Sequence, residues 1–185
     1  MPKTPSNSVG KSAAMLADRL AKLPFQKVKV AVTDIDGVLR GKYLAKEKFL
    51  SALESGFGFC NVVLGWDSSD VCYDNVKFTG WQSGYPDALV KLDPETFRQI
   101  PWEGGLPFLL GDFEGDAAAI CPRNLLKRVI ARAKAEGFDA NFGMEFEWFN
   151  FAETPQSWAD KKYAHPDPIT PGMLGYSVVR TTQIQ

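Results

Sequence analysis

Asp34 and Asp36 in DIDG (residues 34–37), Asp112 and Asp116 in GDFEGD (111–116), and Glu145 with Glu147 in GMEFEWF (143–149) are carboxylate pairs whose spacing could do chemistry. Clustered carboxylates suit a hard divalent cation such as magnesium, which takes oxygen ligands and offsets the charge of a transferred phosphoryl group. In one arrangement Asp34 attacks phosphorus, Asp36 serves as acid and base, and Asp112 or Asp116 helps hold the metal. In the other, Glu145 and Glu147 lie two apart on a strand and share a face, about 6 to 7 Å from one another along the backbone. Met144, Phe146 and Trp148 would then point the opposite way. Each grouping also has a plainer reading. Asp36-Gly37 is a favoured tight-turn dipeptide, and an amphipathic strand can simply turn its charged side to water.

The first arrangement resembles the acidic motifs of the haloacid dehalogenase-like phosphatases. That family places an alternating α/β layer structure between its acidic motifs, whereas here one helix and several short strands or loops fill the gap. The phosphatase using Asp34 is therefore a lesser alternative, and the motif reads first as a hairpin turn.

The elements that must position these residues follow from periodicity. Met15, Leu16, Leu20 and Leu23 recur at helical spacing over 12–23, and Pro24 ends that segment. From Lys27 the period becomes two, with Val28, Val30 and Val32 on one face. Asp36-Gly37 then turns the chain into a second strand, VLRGKYLA. Phe49, Leu50 and Leu53 mark a helix over 46–55 that Gly56 stops, and FCNVVLGW reads as a strand after it. Residues 67–86 have no clear period and predict an ordered loop. Strands follow at ALVKLD (88–93) and PFLLGDF (107–113). Pro122 opens the clearest helix, over 122–137, with Leu125, Leu126, Val129, Ile130 and Ala133 on one face. FGMEFEWFNF (142–151) alternates as a strand, and a Pro-rich loop follows. Hairpin, helix and further strands make a small α+β domain.

The chain has 185 residues, 45% of them hydrophobic and 23% charged, with a formal net charge of −1. It suits one domain or two small ones. That balance supplies no broad electrostatic reason to expect nucleic acid or an anionic membrane. Cys60, Cys72 and Cys121 form neither a CxxC pair nor an even set, which fits a reducing cytoplasm. The polar N-terminal stretch is neither a secretory signal nor a membrane span. Its GKS at 10–12 is no P-loop, because Pro5 stands where the first glycine belongs.

Taken together, DIDGVLRGKYLAKEKF, VVLGWDSSDVCYDN, IPWEGGLPFLLGDFEGD, CPRNLLKRVIARAKAEGF and GMEFEWFNF resemble, in order and spacing, the N-terminal part of the glutamine synthetase family. The likeness runs from about residue 25 to the end, and is strongest to the γ-glutamyl-amide ligase branch. It implies an N-terminal helix (1–24), a β-grasp (ubiquitin-like) domain (25–116) and the truncated start of the α/β catalytic domain (117–185). It also implies ATP-dependent amide formation between the γ-carboxylate of glutamate and ammonia or another amine, with Mg2+ or Mn2+. Glu145 and Glu147 match the two glutamates of the family's G-x-E-x-E strand and would be metal ligands. Asp67 in GWDSSD lies near the loop aspartate that binds and deprotonates the incoming ammonium. Matching the two serines instead would put Trp66 at that position, and an ordinary loop cap is the other reading of Asp67. His165, in AHPDP, does not match the family's metal histidine. The remaining metal ligands and the residues that bind ATP and glutamate would lie beyond residue 185, so this chain is expected to be an N-terminal fragment unlikely to act alone. The resemblance further implies a homo-oligomer, with sites shared between subunits. A non-catalytic β-grasp module that binds a partner through its exposed edge is the alternative.

Overall fold

The structure, a computed structural model, describes residues 6–170 together with 172, 177 and 178. Most of the closing stretch GYSVVRTTQIQ lies outside the described residues. The chain divides into two compact units, residues 1–140 and 141–185.

The first unit is built on a mixed sheet. Helix α1 (Ser6–Ala21) precedes the hairpin β1 (Lys27–Thr33) and β2 (Leu39–Ala45), and α2 (Lys46–Ser55) follows without a break. Then come β3 (Phe57–Cys60), β4 (Asp87–Leu92), β5 (Arg98–Ile100), β6 (Leu106–Phe113) and α3 (Pro122–Ala135). The strand order is β2-β1-β6-β4-β3, with β5 paired to the start of β6. The central β1 and β6 run parallel and the other pairs antiparallel. Lys42 on β2 donates to the Gly58 carbonyl of β3 at 3.1 Å, so the two edge strands are brought together by the roll of the sheet.

Alternation along β1 decides where the core lies. Val28, Val30 and Val32 are buried on one face with Leu109 and Val90, and Phe49 of α2 and Leu20 of α1 close over them. On the opposite face Ala31 and Gly41 form a small-residue spot between Lys29, Leu39, Tyr43 and Phe108. A Cβ on Gly41 would come within 3.2 Å of its cross-strand partner Ala31 and much closer to the Val30 carbonyl.

Several sequence expectations change. The hairpin connection is a five-residue loop, because Thr33 pairs with Leu39 and Asp34–Val38 lie between them. Gly37 supplies the left-handed backbone the turn requires. In FCNVVLGW the strand stops at Cys60, and Asn61–Leu64 tighten into a 3-10 turn. A continuous apolar run reads the same as strand or buried helical turn, and the Asn61 side chain is taken up by the buried Thr79 hydroxyl at 2.5 Å. Residues 142–151 also form no regular strand. Phe151 makes a single bridge to Pro168, and Phe142, Phe146 and Trp148 are exposed. Alternation states which residues share a face but supplies no ladder, and no described segment pairs along this one.

Helix α3 forms where expected, yet its apolar face of Leu125, Leu126, Val129 and Ile130 is exposed. Polar contacts moor it: Asn124 donates to the Phe113 carbonyl, and Arg123 with Lys127 bridges Asp93 and Asp112. In the second unit a short helix, α4 (Pro155–Asp160), interrupts the expected loop. Thr154 caps it and Pro155 occupies its first turn, a start signal present in the sequence. No helix among the described residues is long and apolar enough to cross a membrane.

Candidate functional site

The structure separates the acidic residues that the sequence brings to mind together. Asp34 follows Val30 and Val32 in alternation and is fully buried on the core side. Asp112 follows Phe108 and Leu110 on β6, whose register with β1 puts Lys29 beside Phe108 and Ala31 beside Leu110. Alternation therefore sends the two aspartates to opposite faces of the sheet.

Asp34 is already committed to a cation and two amides, and Asp112 to two cations. Asp34 Oδ1 accepts the amides of Asp36 and Val38 at 3.0 and 2.8 Å, and Oδ2 accepts Arg40 Nε at 2.7 Å. Asp112 Oδ2 accepts Arg123 and Lys127, both at 2.6 Å. Burial alone would raise the Asp93 carboxyl, but hydrogen bonds from Arg123 and Lys127 outweigh it and hold Asp93 below its ordinary value. No group of three or more His, Cys, Asp or Glu among the described residues is placed to hold a metal.

Asp67 sits at the head of a small loop closed by the Trp66–Cys72 bridge. Its backbone amide donates to the Val71 carbonyl at 3.0 Å, and its Oδ1 accepts the amides of Ser69 and Val71 at 2.8 and 3.0 Å. The loop-cap reading is thus realised geometrically. Its Oδ2 takes no hydrogen bond from a described residue, which leaves one carboxylate oxygen as an acceptor. Burial first, and then the charges of Asp36, Asp67 and Asp34, push the nearby Tyr73 hydroxyl up. These carboxylates therefore share one electrostatic neighbourhood.

What sequence reasoning missed here is Arg40. Its guanidinium lies 5.0 Å from the Trp66 ring, and Nη1 bonds Asp70 at 2.5 Å while Nε holds Asp34. Arg40 alternates with Lys42 and Leu44 on β2, so an inward-reaching basic residue beside a buried aspartate was the available signal.

In the second unit, Glu145 and Glu147 are exposed on an irregular segment without a ladder. Their oxygen donors suit magnesium or manganese. Two carboxylates supply part of a coordination sphere, and no third acidic or histidine ligand among the described residues joins them. His165 is exposed, in agreement with its reading as a loop residue.

The sequence profile of the glutamine synthetase catalytic domain matches residues 119–182, the stretch that contains both glutamates. A type-1 glutamine synthetase of Dictyostelium discoideum is 51% identical over 168 residues, covering 89% of this chain and 32% of that protein. The chain belongs to the glutamine synthetase family. Family relatives include a glutamate–isopropylamine ligase of a Pseudomonas species, 31% identical over 91% of this chain and 38% of its own length. A γ-glutamylethanolamide synthetase of Streptomyces coelicolor is also 31% identical, over 85% of this chain and 35% of its own length. The chain spans about a third of the length of these curated family members.

Proposed function

We propose that this chain carries the N-terminal portion of a glutamine synthetase-type ligase, which joins the γ-carboxylate of glutamate to ammonia or another amine. In such a reaction ATP phosphorylates the carboxylate, the amine nitrogen attacks the acyl phosphate, and phosphate leaves with ADP as the other product. The observation that carries this reading is the Gly143-x-Glu145-x-Glu147 pattern, lying inside the stretch that matches the catalytic-domain profile.

Glu145 and Glu147 would be metal ligands, completed by groups from elsewhere in the assembled enzyme. A bound divalent ion would offset charge on ATP and the acyl phosphate. Asp67 would take the amine through its open Oδ2, since a carboxylate both attracts an ammonium and accepts its proton. A β-grasp arrangement for residues 25–116 is supported by the β1–β2 hairpin, the helix α2 and the parallel central pairing of β1 with β6. The unpaired Cys60, Cys72 and Cys121 suit a cytoplasmic setting.

The test is ATP turnover by the natural full-length protein. It should require glutamate, an amine and Mg2+ or Mn2+, and Glu145→Ala should abolish it. Turnover independent of glutamate would sink the reading. The exposed apolar face of α3 favours one second reading, a non-catalytic assembly module. That reading requires a saturable protein partner together with no ligase activity.

A further inference from the structure

We infer that Arg40 is the positioning residue of the Asp67 loop, the part that fixes where the amine-facing carboxylate sits. This rests on the proposed role of Asp67 and names the device that holds it.

Arg40 is anchored at one end and directs the loop at the other. Its anchor is Asp34, fully buried and itself pinned by the amides of Asp36 and Val38. From that fixed point Nε points to Asp34, Nη1 reaches Asp70 at 2.5 Å, and Nη2 lies 3.4 and 3.5 Å from the carbonyls of Asp67 and Ser68. The guanidinium carbon lies over the ring of Trp66, the residue before Asp67, 5.0 Å from its centroid. One planar group therefore touches residues 66, 67, 68 and 70 while joined to the end of β1. A lysine has a single point of charge and could not serve these directions together.

Two further features agree. Asp70 adopts a left-handed backbone conformation at φ 66°, one that Asp reaches more readily than most residues other than glycine, and this turn presents its carboxylate to Arg40. The charges also balance in the right sense for an amine. Asp34 and Asp70 together exceed the single positive charge of Arg40, so the loop keeps a net negative character next to the open oxygen of Asp67. An ammonium or a protonated amine is the substrate class such a field attracts. The arrangement also gives the DIDGVLR stretch a purpose, since its buried aspartate serves as the footing for Arg40.

The experiment uses Asp70→Asn, which removes the negative charge at the loop end of the bridge and leaves the buried Asp34–Arg40 pair intact. Arg40→Met combined with Asp34→Asn removes the whole device without stranding a buried charge. Hydrogen exchange is read at the amides of Ser69 and Val71, and KM values for the amine, glutamate and ATP are measured on the natural full-length protein. We expect exchange at both amides to quicken about tenfold or more in each variant while core amides of β1 and β6 hold. We also expect the amine KM to rise about tenfold with the KM for ATP unchanged. Loop amides that keep wild-type protection in both variants would overturn the positioning role. A loosened loop with an unmoved amine KM would support the positioning role and refute the amine site at Asp67.

Discussion

Arg40 Nε lies 2.7 Å from Asp34 Oδ2 across the mouth of the β1–β2 hairpin, and this ion pair, with Asp34 fully buried, closes the turn. Asp34 also satisfies two amides inside the turn, so it does for the hairpin what a cap does for a helix.

Removing the carboxylate should therefore harm folding. Asp34→Ala leaves Arg40 partly desolvated and two turn amides without an acceptor, and should cost about 3 kcal/mol or more. Asp34→Asn keeps an acceptor for the amides and should cost less. Urea unfolding of the two variants checks the order, and phosphomonoester hydrolysis that vanished in Asp34→Asn would contradict the structural role.

The hairpin, α2 and α3 were legible because each carries two agreeing signals, a hydrophobic period and a punctuating residue such as Gly37, Gly56 or Pro122. The Asp34–Arg40–Asp70 bridge was not legible, since its last member is 30 residues from Arg40 and nothing local predicts the meeting. Residues 142–151 failed in the opposite way. Their alternation is a local instruction, but strand formation depends on a partner that the pattern does not name. The carboxylate pair at Glu145 and Glu147 was legible as chemistry, while its placement on one face required that missing ladder.

Arg123 should be worth more than a surface charge. It bridges Asp93 and Asp112 at 2.7 and 2.6 Å and ties α3 to β6, and Asp112 Oδ1 is already buried without a partner among the described residues. Arg123→Met should destabilise the first unit by about 2 kcal/mol, less than for a fully buried pair because Lys127 remains beside both carboxylates. Thermal unfolding measures this. A double-mutant cycle with Asp93→Asn should show coupling, and strictly additive effects would refute the bridge.

Glu145→Ala and Glu147→Ala should separate function from folding. Both side chains are exposed, so each substitution should change stability by no more than about 0.5 kcal/mol. If they are metal ligands, each should weaken metal-dependent ATP turnover of the natural full-length protein by about a hundredfold or more. Matched melting curves alongside a metal titration followed by activity supply the two readouts. Full activity in both variants would remove them from the site.

The second unit should have its own acid transition, set by Glu153. Its Oε1 accepts Lys161 Nζ at 2.6 Å and the Asp167 amide at 2.7 Å, and its Oε2 accepts the Ser157 hydroxyl at 2.5 Å. The hydrogen bond from Lys161, then those from Ser157 and the Asp167 amide, lower its carboxyl from 4.5 to about 2. A carboxyl depressed in the folded state binds its proton more readily once unfolded, so it favours folding above pH 4.5 and loses that contribution as the pH falls toward 2. The amides of Ser157 and Asp167, followed by NMR through that window, should lose their folded shifts together. Glu153→Gln keeps an acceptor but abolishes the charge, and should flatten the transition. A wild-type transition that persisted unchanged in Glu153→Gln would assign the acid sensitivity to another group.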